Sequence, residues 1–239
     1  MCNMKFDFQL SSDENSSPPM GLIVLQVDET IEGEFREAFK LSKTQIFVSR
    51  IPSGLEVTTK TLTSMEQHIT ASAQLLPQSR EFSVIGYGCT SASAIIGSER
   101  ISELIKSGCN TRKVTNPLLA ATEYAKHIGV TKLALLSPYI EEVNIPLRKA
   151  FASNGLSTEA FGTFGEGKEE KVARISEKST IEAAITLGKD TSTEAVFISC
   201  TNLRTFNCLD KIANEINKPV FSSNQSLAWH MKELAYQHI

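Results

Sequence analysis

Short apolar runs and helix-period stripes alternate along the chain from residue 21 onward. Gly21 to Val27 (GLIVLQV) is an apolar run of strand length, the pattern of a strand buried on both faces in a parallel sheet. Ile31, Phe35, Ala38 and Phe39 then recur at helical spacing, and Gln45 to Ser49 is a second strand closed by Pro52-Ser53-Gly54. Leu62, Met65, Ile69, Ala73 and Leu76 stripe the next helix, and Phe82 to Tyr87 is a third strand. Ile101, Leu104 and Ile105 mark a helix ending near Gly108. The same order then repeats. Pro117 opens a helix carrying Leu118, Ala121, Ala125 and Ile128, with Gly129 at its end. Lys132 to Ser137 is a strand, Leu147, Ala150 and Phe151 mark a helix, and Leu156 to Phe161 is a strand. Ile181, Ala184, Ile185 and Leu187 mark a helix stopped by Gly188, followed by a strand at Ala195 to Ser199. Leu209, Ile212, Ala213 and Ile216 form a helix face, Pro219 to Ser222 a short strand, and Leu227, Ala228, Met231 and Leu234 a final helix.

Strands alternating with helices predict an α/β fold of parallel sheets wound by right-handed crossovers. The two halves also align at a single offset. A shift of 111 residues carries Leu22 onto Leu133, Gln45 onto Leu156, the helix at 62–76 onto 173–187 and Cys89 onto Cys200. Beyond the cysteine helices the offset slips, so that Thr115-Asn116-Pro117 corresponds to Ser223-Asn224-Gln225. The chain therefore reads as two pseudo-twofold-related lobes, each a small parallel sheet flanked by helices: 20–116 plus 221–239, and 117–220. Residues 1–19, with the polar stretch SSDENSSPP, read as a flexible tail. Ligands of open α/β sheets bind outside the carboxyl ends of strands. A twofold that turns those ends toward each other places an active site between the lobes.

Composition changes this picture only at the edges. At 239 residues, 41% hydrophobic and 21% charged, the chain has the make-up of a globular protein with a substantial core. A net charge of −3 offers no basic surface, so no nucleic-acid partner is expected. No apolar run approaches the roughly 20 residues that cross a bilayer, and residues 1–20 lack the features of a secretory signal. A cytoplasmic location is expected, where thiols stay reduced. The five cysteines (Cys2, Cys89, Cys109, Cys200, Cys208) contain no CxxC pair and no Cys/His zinc spacing, so no metal site is expected.

Two of these thiols stand apart. FSVIGYGCTSAS (82–93) and AVFISCTNLRT (195–205) each run from a buried strand into a Cys-Thr pair, at equivalent positions of the repeat. A cysteine at a helix start meets unpaired backbone N–H groups and the positive end of the helix dipole, which lower its pKa. Thr90, Ser91 and Ser93 beside Cys89, and Thr201 and Asn202 beside Cys200, add donors that hold a carboxylate without an arginine cluster. Two opposed thiols suit a carbon acid. One, as thiolate, removes a proton from one face while the other delivers one to the opposite face; alternatively one thiolate adds to an activated double bond while the second manages the proton. Asp28 and Thr30 follow the first strand, and Tyr139 stands at the position equivalent to Asp28, so these too reach the cleft rim.

Each has a plainer reading. A lone cysteine at a strand end is commonly a small core residue, although a matched pair of Cys-Thr loops favours function. Asp28 is either a helix N-cap or a site carboxylate, and Tyr139 either a surface tyrosine or a site residue favoured by its repeat position. Arg204 either clamps a substrate carboxylate or pins the Cys200 loop through backbone carbonyls, the second being preferred. Cys2, Cys109 and Cys208 have no such context. His68, His127, His230 and His238 fall on helices away from strand ends, against a Cys-His protease pair. Gly86-Tyr87-Gly88 lacks both the G-x-G-x-x-G pattern and a Walker lysine.

GLIVLQVDETIE (21–32), GYGCTSAS (86–93), LLSPY (135–139), ISCTNLRT (198–205) and SSNQSLAWH (222–230) resemble the aspartate/glutamate racemase superfamily. Within it, the chain is most similar to the branch of maleate isomerase, arylmalonate decarboxylase and ectoine utilisation protein A, with VLQVDETIE and CTNLRT pointing to the last. The resemblance implies two racemase-like lobes, no metal or organic cofactor, and a homodimer or higher homo-oligomer. It implies a racemase or isomerase of a small carboxylate or amino-acid-derived substrate. In isomerase-like members Cys89 would add to the substrate double bond, Cys200 would act as general acid/base and Tyr139 would contact substrate. Asp28, Thr30, Thr90, Ser91, Thr201 and Asn202 complete the expected substrate-binding set.

There are departures. Maleate isomerases carry an asparagine where this chain has Asp28, and their second site asparagine finds no counterpart in GEGKEEK (165–171). A carboxylate at position 28 repels one end of maleate and pairs instead with an ammonium or amide group, which favours an amino- or amido-acid. Arylmalonate decarboxylases use only the second-lobe cysteine, with glycine at the first, so Cys89 argues against decarboxylation. A decarboxylase using Cys200 and a non-catalytic carboxylate-binding module are the alternatives.

Overall fold

The structure is a computed structural model and describes residues 4–10 and 18–236. Cys2, His238 and most of the tail expected at 1–19 lie outside the described residues.

Two parallel sheets of four strands organise the chain. The first contains β1 (Met20–Leu25), β2 (Ile46–Ile51), β3 (Phe82–Gly88) and β4 (Thr111–Thr115) in the order β2-β1-β3-β4. The second contains β5 (Leu133–Tyr139), β6 (Phe161–Glu166), β7 (Ala195–Ile198) and β8 (Val220–Ser222) in the order β6-β5-β7-β8. The central strands β1, β3, β5 and β7 are buried along their whole length, as near-continuous apolar runs require. Strand order repeats between the sheets, and the register repeats with it. Val24 pairs with Arg50 and Leu135 with Phe161, both members displaced by 111 residues. On the opposite edge the repeat loosens, since Val24 faces Gly88 but Leu135 faces Phe197, two residues short of the same displacement.

Helices cover the sheets. α1 (Ile31–Ala38) follows β1, α2 (Thr59–Ser64) and α3 (Glu66–Gln74) follow β2, and α4 (Thr90–Ile96) and α5 (Ser98–Gly108) follow β3. α6 (Pro117–His127) leads into β5, and α7 (Glu141–Ser153), α8 (Glu169–Val172), α9 (Glu177–Gly188), α10 (Phe206–Ile216) and α11 (Ser223–Tyr236) complete the set. Starts are locally encoded: Thr58 and Thr61 form a reciprocal capping box for α2, and Asn116 caps α6 with Pro117 behind it. α11 returns to pack on β3 of the first sheet, although the strand before it belongs to the second. Gly86 permits that approach, because a Cβ there would lie 2.7 Å from the Met231 sulfur. The Gly86-Tyr87-Gly88 stretch is thus β3 itself.

One buried apolar cluster runs from Ile23 and Ile85 of the first sheet to Leu136 and Ile198 of the second, and takes in Cys89, Tyr139 and Cys200. Each fully buried Ile or Leu contributes roughly 1.5–3 kcal/mol relative to exposure, so this seam both joins the sheets and fixes the thiols. Among the described residues, no helix is long and apolar enough to cross a membrane.

Several elements differ from the sequence reading, which also lacked the four-residue α8. The single helix expected at 62–76 is two, meeting at Met65, where i→i−3 bonds (Met65 N–H to Leu62, His68 N–H to Met65) tighten the turn. The strand expected at Leu156 to Phe161 begins its regular ladder only at Phe161. Lys132 pairs with Ser157 but Leu135 with Phe161, so one extra residue interrupts the approach. β4 was not expected at all; TRKVT is a half-exposed edge strand whose charged residues hide its pairing with β3.

Candidate active site

Cys89 and Cys200 follow directly on the central strands β3 and closely on β7, and both are buried. They line one cavity together with Asp28, Thr90, Ser91, Tyr139, Thr201 and Asn202, and with Glu169, which the sequence reading did not single out. Of the expected set only Thr30 is absent from the cavity wall; its hydroxyl donates to the Asn202 carbonyl at 3.0 Å. Inside, the cavity offers only ≈ 10 Å³, about the room one water molecule needs. An outer cavity of ≈ 370 Å³ shares Val27 and Glu169 with it. A backbone clasp joins the two segments that border the outer cavity: Val57 N–H donates to the Gly167 carbonyl at 2.8 Å and Glu169 N–H to the Leu55 carbonyl at 3.1 Å.

The two thiols are held differently. Cys89 is the N-cap residue of α4 in extended geometry, and its sulfur accepts the Ala92 N–H at 3.4 Å. Cys200 has φ of 107°, in the region that favours glycine. Its N–H donates to Ser223 Oγ at 3.0 Å, and its sulfur accepts the Asn202 N–H at 3.2 Å. Thr90 Oγ1 meets the same Ser223 Oγ at 2.8 Å, so one serine of α11 ties the two cysteine loops together. Tyr139 Oη lies 3.0 Å from Cys200 Sγ and donates to Glu169 Oε1 at 2.8 Å. With the phenol proton committed to the carboxylate, the Cys200 thiol donates to the phenol oxygen.

The polar frame is braced across the two sheets. Asp28 Oδ1 accepts the Thr30 and Ile31 N–H groups, each at 2.8 Å, and Oδ2 accepts the Thr201 hydroxyl at 2.8 Å. It therefore closes the turn into α1, whose N-cap residue is Thr30, and lines the cavity as well. Asn202 Nδ2 donates to Glu169 Oε2 at 2.9 Å, and its Oδ1 accepts the Glu29 N–H at 2.8 Å. Arg204 does not line the cavity and donates to the Ala173 carbonyl at 3.0 Å. His68, His127 and His230 lie on α3, α6 and α11, away from the cavity wall. Among the described residues, no group of three or more His, Cys, Asp or Glu side chains is arranged to hold a metal ion.

Electrostatics correct one expectation. The sequence reading has helix-start N–H groups lowering the thiol pKa values. Burial instead pushes Cys89 up to about 12, with Ala92 N–H working against the rise and the Glu169 and Asp28 carboxylates adding to it. Burial likewise raises Cys200 well above an ordinary thiol, again with Glu169 adding to the effect. The N–H groups are present, but desolvation outweighs them. Burial also raises the pKa of Asp28 and of Glu169.

A model of the arylmalonate decarboxylase family matches residues 39–238. Among solved structures, maleate isomerase Iso from Pseudomonas putida S16 superposes with a TM-score of 0.81 at 18% identity, covering 90% of this chain and 91% of that one. A mutant of arylmalonate decarboxylase in the liganded form gives 0.80 at 20% identity, over 93% and 94%. A Nocardia farcinica maleate cis-trans isomerase mutant with a covalently bound succinylcysteine intermediate gives 0.79 at 18% identity, over 91% and 92%. No curated protein matches the chain in sequence. At these identities the superpositions speak for the fold, two four-stranded parallel sheets flanked by helices. The family model spans most of the sequence, and on that match the chain belongs to the arylmalonate decarboxylase family.

Proposed function

We propose that this protein is a two-cysteine racemase or isomerase of a small carboxylate. The observation behind it is that Cys89 and Cys200, at equivalent places in the repeat, line one buried cavity. A substrate held between them presents its α C–H to one sulfur. That sulfur, as thiolate, takes the proton and becomes a thiol, and the C–H electron pair moves into the adjacent carboxylate. The opposite thiol returns a proton to the other face and is left as thiolate, so charge and protons balance. Asn202 N–H stabilises the charged state at Cys200, joined by the Tyr139 hydroxyl once its proton turns from Glu169 to the sulfur, and Ala92 N–H does so at Cys89. Ser91 Oγ, buried and without a partner, is a donor for the substrate carboxylate. The succinylcysteine adduct of the Nocardia farcinica enzyme suggests a variant in which one sulfur adds to a carbon–carbon double bond and leaves after rotation.

Isotope exchange tests this reading. A panel of small carboxylic and amino acids incubated with the enzyme in deuterated water should take up deuterium at the α carbon. Cys89→Ala and Cys200→Ala should each abolish the uptake, and wild-type exchange in either variant sinks the two-thiol mechanism. The second reading, decarboxylation, is favoured by the family model itself. It requires Cys200 alone, and carbon dioxide released from an arylmalonate by the Cys89→Ala variant would establish it instead.

A further inference from the structure

We infer that Glu169, with Asp28 beside it, forms a cation-recognising end of the cavity, so that the substrate carries an ammonium group as well as a carboxylate. This rests on the two-thiol reading of the site and narrows its substrate class. Glu169 and Asp28 are 4% exposed each and line the same cavity as the thiols, whose wall contains no lysine, arginine or histidine among the described residues. A carboxylate offers about four acceptor positions. Glu169 uses two, for Tyr139 and Asn202, and Asp28 uses three, for Thr30, Ile31 and Thr201. The remaining positions, about two and one, match the three donors of an ammonium group. The Ser91 hydroxyl, 2% exposed, lines the same cavity with no partner, and supplies a donor for the opposite, anionic end of such a ligand.

Charge balance supports the same assignment. After burial itself, the two carboxylates are what raise the Cys89 thiol, and Glu169 does the same at Cys200. A cation seated between them cancels that contribution, so an ammonium-bearing substrate eases formation of the thiolate that acts on it. A dicarboxylate adds a like charge and does the reverse. The side chain that discriminates is therefore Glu169, since the bonds of Asp28 are mostly committed to its turn.

Matched ligands test this with the intact protein. Dissociation constants for 2-aminobutyrate, 4-aminobutyrate and succinate would be measured by calorimetry for the wild type and for Glu169→Gln. At least one amino acid should bind the wild type about tenfold or more tightly than succinate, the size of one charge-assisted hydrogen bond. Glu169→Gln should erase or invert that ratio. Equal or tighter succinate binding by the wild type, no binding of either amino acid, or a ratio unchanged in Glu169→Gln overturns the inference. Failure of the two-thiol reading looks different, as α-carbon exchange that survives loss of a cysteine whatever the affinities.

Discussion

Cys200 combines a proposed chemical role with backbone strain. A non-glycine residue at φ of 107° costs on the order of 1–3 kcal/mol, held here by bonds from its N–H to Ser223 and from Asn202 to its sulfur. Two substitutions separate strain from chemistry. Cys200→Ala and Cys200→Gly both lose the sulfur, but only glycine relaxes the backbone, so the glycine variant should be the more stable by about 1 kcal/mol. Denaturant titration of the pair checks this, and an alanine variant of equal or greater stability would show that no strain is stored. At this scale the Cys-Thr loops, Asp28 and Tyr139 were legible as cavity-lining candidates because each stands at the end of a strand or just past it, at a repeated position. Glu169 was not. It sits in GEGKEEK, a charge run that reads as solvated, and its neighbour Glu170 is indeed exposed. Only the pairing of this segment with residues 55–57 turns one carboxylate of the run inward.

Between elements, the least visible bond in the sequence is that of Glu34. From α1 its carboxylate accepts the N–H groups of Thr205 and Phe206 (the latter at 2.9 Å) at the start of α10, and Asn224 Nδ2 of α11 at 2.7 Å. It thereby caps a helix of the other half of the chain and favours the positive end of that helix dipole. Glu34→Ala leaves these buried donors unmatched and should lower the unfolding free energy by about 1–3 kcal/mol. Burial raises the Glu34 pKa above 4.5, so the folded chain holds that proton more tightly than the unfolded one. Its contribution is full below 4.5 and is lost as pH rises through the raised value. The alanine variant should therefore show a flatter pH dependence of the denaturation midpoint over that window. Helical periodicity places Glu34 beside the Phe35 stripe without indicating a partner 171 residues away, because periodicity carries no tertiary information.

For the whole molecule, hydrophobic pattern and repeat were enough to anticipate two parallel sheets, since central strands cannot be built otherwise from such runs. What they missed lies at the sheet margins, where β4 and the approach to β6 are set by local pairing rather than burial. The clasp between residues 55–57 and 167–169 belongs to that margin too. A cavity of ≈ 10 Å³ has no room for a small carboxylate, so substrate entry requires the site to open, and parting of the two clasp bonds is the predicted route. Hydrogen–deuterium exchange at the amides of Val57 and Glu169 tests this route. They should exchange faster than the amides of β1 and β5 and slow markedly under saturating ligand. If they are as protected as the central strands, substrate enters by another way.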